Sequence, residues 1–368
     1  MAEIASLLYV SDLHFFQRLS FKGGRNWALK NIGVKGHSVA KVRVFARTIF
    51  TQRASEGNED ILIATGDVST DGTNRSLEIA KEFIEKGSVY EHGRLVSGGL
   101  AADRGQRIIV AGNHDRYGNW FLPYESETNR TLESVFQIRD QYPYLVGFRR
   151  PAQRADANLP TILLYVFDST LTGDIAGSHN PQKRIARGIV TDQDCEWLES
   201  RPEELRRTKS VLDLEGEALA IDYENTIRVA LLHHHPVIKQ KNSVFQFFNK
   251  NSWSIMENAD RFVEACFKAE VDLVLFGHEH ENYNETQERE IIETTTTRVH
   301  TIRFICCPST LEYSEAKNGY YTIDFNANEY RMILNEWNGT AFIKSRTYNQ
   351  PYNRPPLFQK PMTSHVSP

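Results

Sequence analysis

The sequence predicts an α/β protein with mixed sheets, and three observations carry that expectation. Short apolar runs rich in Val, Ile and Leu recur through residue 276, each ending in glycine or polar residues. Segments with apolar residues three and four apart lie between them. The last third changes to short β-rich stretches with Asn-Gly pairs between or beside them. Strand alternating with helix is the signature of βαβ units, and strands apolar throughout are those buried on both faces.

Taken in order, Ser6 to Val10 is the first strand and Ile61 to Ala64 the second. Between them Val39, Val42, Phe45, Ala46, Ile49 and Phe50 recur at helical spacing. Arg107 to Ala111 is the third strand, followed by a helical pattern through Leu132, Val135, Phe136 and Arg139. After the fourth strand, Thr161 to Phe167, Thr191 to Asp194 resembles a capping box ahead of Trp197 and Leu198. Acidic residues from Asp213 to Glu224 read as a solvated loop, and Arg228 to Leu232 and Val271 to Phe276 complete the apolar runs. Arg298 to Cys306, Tyr320 to Phe325, Tyr330 to Asn335 and Ala341 to Tyr348 read as antiparallel strands, with turn chemistry at Asn318-Gly319 and Asn338-Gly339. From Pro351 onward the chain holds five of its 13 prolines, which favours an extended tail. The expected organisation is one large domain over residues 1–348, with a cap-like insertion at 237–256 and a Pro-rich tail at 349–368.

Composition narrows the class. A chain of 368 residues buries roughly 75% of the surface its unfolded state exposes, so it needs no disulfide or structural metal to fold. The 43 basic and 47 acidic side chains leave a net charge of −4, with no global field to draw in polyanions. The four cysteines, Cys306 and Cys307 adjacent among them, form no CxxC pair and read as reduced buried thiols. Residues 1–25 lack a secretory pattern and no run of ~18 apolar residues can span a bilayer, so the expectation is a cytoplasmic protein without a membrane partner. No Gly-Lys dipeptide exists for a P-loop, and there is no G-x-S-x-G elbow.

The 12 histidines carry the functional reading. Seven directly follow apolar runs: His14, His114, His233, His234, His235, His278 and His280. With them stand Asp12 in Ser11-Asp-Leu-His14, Asp67 in Gly66-Asp, and Asn113 in Gly112-Asn-His-Asp115; His278 and His280 belong to Gly277-His-Glu-His280. In an open α/β sheet ligands bind outside the carboxyl ends of strands, so five strand ends would present these groups to one crevice. The spacing of two in Asp12-x-His14 and His278-x-His280 puts both side chains on one side of extended backbone. Imidazole with carboxylate and amide oxygen suits Mn, Fe, Zn, Co or Ni. The donors are too many for one tetrahedral ion, whereas two metals ~3.5–4 Å apart bridged by one carboxylate use them all.

In this order, Asp-x-His, Gly-Asp, Gly-Asn-His-Asp, His-His-Pro and Gly-His-x-His resemble the calcineurin-like metallophosphoesterase superfamily. Phe167-Asp-Ser-Thr170 with Gly188 and Gln193 to Leu198 is similar to its class III cyclic-nucleotide phosphodiesterase branch, and the resemblance spans roughly residues 5 to 325. It implies a four-layer αββα sandwich and a dinuclear phosphohydrolase that uses a metal-bridging hydroxide for in-line attack on phosphorus, most simply on a small phosphodiester such as a cyclic nucleotide. Phosphomonoester or nucleic-acid substrates, and an inactive metal-binding scaffold, are the alternatives. It further implies one metal at Asp12, His14 and His280 and a second at Asn113, His234 and His278, with Asp67 bridging. Family motifs place the histidine ligand two residues before a proline, so Pro236 selects His234, with His233 or His235 as the other choices in the triple. His114 would stabilise the transition state or protonate the leaving oxygen. Related sequences carry Asp or Asn three residues after the bridging aspartate to orient that histidine; here Thr70 stands there, so Asp71 substitutes or His114 is held otherwise. Asp168 is expected to support the site rather than bind metal. Asn113, His114, Arg116, Tyr117 and His235 are candidate substrate contacts. Lys239, Lys241, Phe245, Phe247, Phe248, Lys250 and Trp253 could stack on a base or form helical core. The near-neutral charge counts against long nucleic acid.

Overall fold

Each apolar run becomes a strand with apolar surface to meet on both of its faces. A computed structural model describes residues 3–19, 36–56, 61–116, 131–138, 141–150, 160–170, 188–237, 256–292, 297–313, 317–326 and 329–352. In chain order the strands begin with β1 (Glu3–Val10), β2 (Ile61–Thr65), β3 (Ser88–Glu91), β4 (Arg94–Gly98), β5 (Arg107–Val110) and β6 (Tyr144–Phe148). They continue with β7 (Thr161–Val166), β8 (Ser210–Leu212), β9 (Ala218–Ala220), β10 (Thr226–Leu231) and β11 (Leu273–Phe276). The last five are β12 (Tyr283–Ile292), β13 (Thr297–Cys306), β14 (Gly319–Asn326), β15 (Glu329–Trp337) and β16 (Phe342–Pro351). The α-helices are α1 (Val39–Glu56), α2 (Asn74–Glu85), α3 (Thr131–Phe136), α4 (Asp192–Thr208) and α5 (Ala259–Lys268).

Two six-stranded mixed sheets form, in the orders β16-β15-β14-β1-β2-β5 and β12-β13-β11-β10-β7-β6. The parity of each strand separates three cores. Leu7, Tyr9, Ile63 and Val110 of the first sheet meet Leu164, Val229, Leu231 and Leu275 of the second. Their neighbours Leu8, Val10, Leu62 and Ile109 face outward onto Val42, Phe45, Ile49, Leu77 and Phe83 of α1 and α2. On the far side Tyr165, Ala230, Leu232 and Phe276 pack on Leu198 of α4 and on Phe262 and Cys266 of α5. Helix, sheet, sheet, helix is the four-layer αββα arrangement. Tyr9 also ties the sheets together, its hydroxyl donating to the Phe276 carbonyl at 2.5 Å beside the Ile305 carbonyl at 3.1 Å.

The capping box at α4 is present, with Thr191 Oγ1 accepting from Asp194 N and Asp194 Oδ2 from Thr191 N, both at 3.1 Å. Other expectations change. Phe50 lies on the exposed side of α1, outside the stripe formed by its neighbours. The acidic stretch Asp213 to Glu224 is no simple solvated loop. It contains the turn and second strand of the β8–β9 hairpin, and buried Asp213 accepts from the backbone N–H of Glu215 and Glu217, both at 2.9 Å. The segment Arg298 to Cys306 pairs parallel with β11 and antiparallel only with β12. Strand β12 has no apolar signal, because it is a polar strand at the sheet's edge. Strand β16 runs to Pro351, inside the expected tail. The cap-like insertion between 238 and 255, with its basic and aromatic residues, lies outside the described residues. Among the described residues, no helix is long and apolar enough to cross a membrane.

Candidate metal centre

Strands β1, β2 and β5 run parallel, as do β7, β10, β11 and β13, and their carboxyl ends carry the polar motifs. The chain turns sharply as it leaves them. Asp12 (φ 52°), His14 (φ 52°), Asp67 (φ 50°), His278 (φ 75°) and His280 (φ 56°) all adopt the left-handed region. Such non-glycine conformations cost about 1–3 kcal/mol each and persist where the surroundings over-determine them. Close approach also demands glycine: a Cβ on Gly112 would lie 2.2 Å from Asp67 N, and one on Gly66 2.4 Å from His233 Nδ1.

Two clusters of donors result, sharing Asp67. Asp12, His14, Asp67 and His280 each offer one ligand atom within 4.8 Å of the others, as do Asp67, His233 and His278. In the first, His280 Nε2 lies 3.1 Å from Asp12 Oδ1 and 3.4 Å from His14 Nε2. Ser11 Oγ and His278 N donate to Asp12 Oδ2 at 2.5 and 3.1 Å, which leaves Oδ1 for the cluster. In the second, Asn113 Oδ1 lies 3.0 Å from His233 Nε2 and 3.1 Å from His278 Nδ1.

Of the triple histidine, it is His233 that stands in the second cluster. His233 Nδ1 is held by the Thr65 carbonyl at 2.7 Å, and its Nε2 reaches Asp67 Oδ2 at 3.4 Å and His278 Nδ1 at 3.3 Å. His234 instead pairs Nδ1 with Ser169 Oγ at 2.9 Å, and its buried Nε2 has no hydrogen-bond partner. Strand parity is the reason. Leu231 faces the space between the sheets and Leu232 the outer helices, so His233 returns to the inner side where β2 and β5 end.

The electrostatics suit cations. Burial alone would raise the Asp67 carboxyl, but His233 and then His114 beside it hold it well below the usual carboxylate range. Burial likewise opposes ionisation of Asp12, and His280 reverses that. Burial, with a second imidazole nearby, pushes His14 and His278 down to about 3. For His233 burial is outweighed by Asp67, and it rises to about 9. The cluster thus holds ionised carboxylates, neutral imidazoles and one imidazolium proton. A divalent or trivalent ion fits this O/N donor set and would displace that proton.

His114 stands beside both clusters, its N–H donating to Asp67 Oδ1 at 2.8 Å and its ring 5.0 Å edge-on from that of His14. Its Nδ1 is 2.8 Å from the carbonyl oxygen of Thr70, so backbone takes the place of the side chain expected to orient it. The Thr70 hydroxyl is spent on the His14 carbonyl at 2.8 Å. Asp71 does not substitute. Its Oδ1 accepts from Thr73 N and Oγ1 at 3.3 and 2.9 Å, just ahead of α2.

The sequence profile of the calcineurin-like phosphoesterases matches residues 5–282 of the 368. The chain belongs to this family. Among solved structures it is similar to a dimetal phosphatase from Danio rerio, at 12% identity and TM-score 0.54 over 95% of this chain and 100% of that one. GAP50, the anchor in the inner membrane complex of Plasmodium, is similar at 12% identity and TM-score 0.45 over 95% and 90% of the two chains. The first likeness shows the fold; the second score is too low to carry an argument. No curated protein matches the sequence itself.

Several residues of this phosphoesterase do other work than expected. Arg116 is buried and committed: it donates to Glu133 at 2.5 and 2.7 Å and pairs with Asp168. It therefore braces α3 against the end of β7. Asp168 accordingly serves Arg116 and the Thr170 backbone N–H at 2.8 Å. His235 is buried against Phe276 and Tyr283, ring centroids 4.6 and 4.8 Å away. Tyr117 lies outside the described residues. Asp115 joins two strand-end loops, accepting from Ser69 N and Gly112 N at 2.8 and 3.0 Å; burial and nearby Asp67 raise it to about 7. The sequence reading missed Glu312, whose Oε2 lies 2.5 Å from His280 Nδ1. The strand-end rule, applied to β13 as it was to β11, would have found it.

Proposed function

We propose that this phosphoesterase is a dinuclear metal-dependent phosphodiesterase acting on a small phosphodiester such as a cyclic nucleotide. Asp12, His14 and His280 would hold one ion, Asn113, His233 and His278 the other, and Asp67 would bridge them. The observation that carries this reading is the membership of Asp67 in both donor clusters. Two ions of Mn, Fe or Zn there supply Lewis acidity that lowers the pKa of water and offsets charge on phosphoryl oxygens. The protein contributes the geometry. Asp67 fixes the His114 backbone through Oδ1, and the Thr70 carbonyl fixes its ring through Nδ1. That leaves Nε2 as the atom able to pass a proton to a departing oxygen.

A diester is favoured over a monoester by the fate of Arg116. A monoester dianion asks for more positive charge than a diester monoanion, and the arginine nearest the Asn113 motif is neutralised by Glu133 and Asp168. A near-neutral surface supports a small substrate over long nucleic acid. Four free buried thiols support a cytoplasmic location. Turnover of bis-p-nitrophenyl phosphate and p-nitrophenyl phosphate with added Mn²⁺, with and without chelator, tests the reading. Chelator-sensitive hydrolysis favouring the diester is expected. Preference for the monoester would make the protein a phosphatase, and no turnover by metal-loaded protein would make it a scaffold.

A further inference from the structure

We infer that the loop Ser309–Glu312, at the end of β13, is a positioning cradle for the first metal site, with Glu312 as the residue that orients His280. The inference rests on the dinuclear reading and extends it to a segment that supplies no ligand.

The loop grips the Asp12 turn through backbone. Thr310 N donates to the Ser11 carbonyl at 2.9 Å, and Ser11 N returns a bond to Thr310 Oγ1 at 3.3 Å. Ser309 Oγ donates to the Asp12 carbonyl at 2.7 Å. These bonds hold a residue whose φ of 52° is otherwise disfavoured. His280 Nδ1 then donates at 2.5 Å to the carboxylate of Glu312, a residue only 4% exposed. That bond places a proton on Nδ1, so that Nε2, 3.1 Å from Asp12 Oδ1, is the nitrogen an ion held with Asp12 would use. A carboxylate on the far nitrogen of a metal-binding histidine orients the ring and raises its basicity, and its loss weakens metal binding or activity about 10–100-fold.

Glu312 is itself held on two sides. Its backbone pairs antiparallel with His37, flanked by Ser38 N to the Leu311 carbonyl and Tyr313 N to the Gly36 carbonyl, both at 2.7 Å. Lys41, from the first turn of α1, donates to the Glu312 carbonyl at 2.8 Å and also to Asn318. Asn318 in turn donates to the Ser309 carbonyl at 2.9 Å. The backbone that carries the carboxylate is therefore held in place independently of His280.

The test is zinc titration of metal-free protein in competition with a chromogenic chelator, for wild type, Glu312→Gln and Glu312→Ala, with kcat and KM for bis-p-nitrophenyl phosphate alongside. Wild type should bind two ions. In Glu312→Gln one affinity should fall about 10–100-fold and the other stay unchanged. The matching activity change should be a fall in kcat with KM constant, recovered by excess metal. Should the alanine variant fail to fold, the glutamine variant, which keeps the shape, decides. Two wild-type affinities in Glu312→Gln, or equal loss of both, would overturn the cradle. A wild type that binds fewer than two ions would overturn the dinuclear reading itself.

Discussion

The choice between His233 and His234 can be put to a paired test in which each variant keeps one ring hydrogen bond and loses one ring atom. An asparagine amide nitrogen occupies roughly the place of a histidine Nδ1. His233→Asn therefore keeps the bond to the Thr65 carbonyl and deletes only Nε2. That atom converges with Asn113 Oδ1 at 3.0 Å, His278 Nδ1 at 3.3 Å and Asp67 Oδ2 at 3.4 Å. Removing an outer partner of a metal site costs about 10–100-fold in affinity, and a ligand is worth at least the upper end. At about 1.4 kcal/mol per tenfold, the second ion should bind at least ~2.8 kcal/mol more weakly. His234→Asn keeps the bond to Ser169 and deletes an Nε2 that makes no hydrogen bond, so its cost should fall on packing and stability. Metal content after dialysis against limiting Mn²⁺, read beside thermal melts, separates the two. His233→Asn is expected to retain one ion and lose activity, and His234→Asn to retain two. Loss of the second ion from His234→Asn alone would refute the parity argument and restore the register set by Pro236.

Asp67→Ala should abolish activity and reduce metal binding at both sites while the circular dichroism spectrum stays native, since Asp67 is the one residue in both clusters. His114→Ala should keep two ions and lower kcat about 10²–10⁴-fold, the span of a positioned proton donor; loss of one ion would make it a ligand. Arg116→Met strands Glu133 and Asp168 as buried charges and should destabilise the fold by about 3–5 kcal/mol in denaturant titration, with KM of the folded fraction unchanged. Metal-free protein should be most stable near pH 6.5–7. His14 and His278, lowered to about 3, stay neutral when folded, so each costs about 1.4 kcal/mol per pH unit below the unfolded value near 6.5. His233, raised to about 9, contributes stability that is lost between about 6.5 and 9 as pH rises. Melts of chelator-treated protein from pH 5 to 9 would show both limbs, and stability rising steadily to pH 9 would contradict the His233 assignment.

What could be read from the sequence follows from how locally each feature is determined. Central strands such as Ile61–Thr65 and Thr161–Val166 were legible because a strand buried on both faces must be apolar throughout. The edge strand Tyr283–Ile292, with one edge and much side-chain surface in water, carries no such requirement and no signal. In the site, ligand types at strand ends were visible, because the sheet fixes where such ends lie. A proline landmark carries no information on which of three consecutive histidines faces inward, since sheet parity sets that. The tether of His114 was invisible for a different reason: a main-chain carbonyl at Thr70 leaves no residue type to recognise. The ion pairs of Arg116 were invisible because a cation beside a phosphate motif and a cation buried between Glu133 and Asp168 look alike until distant carboxylates are placed.

The centre itself is unfavourable before any ion arrives. Five strand-end residues with left-handed φ store on the order of 1–3 kcal/mol each, and imidazoles are crowded together, His14 stacked on His280 at 5.1 Å and His233 edge-on to His278 at 5.0 Å. That cost is tolerable because none of the three apolar cores runs through the donor clusters; the layers on each side of both sheets close independently of them. The fold should therefore survive chelation, with metal adding stability by mass action rather than making folding possible. A protein that unfolded on losing its ions would place the strain beyond what the cores can hold. One that showed no rise in melting temperature on adding Mn²⁺ would remove the ions from the strand ends altogether.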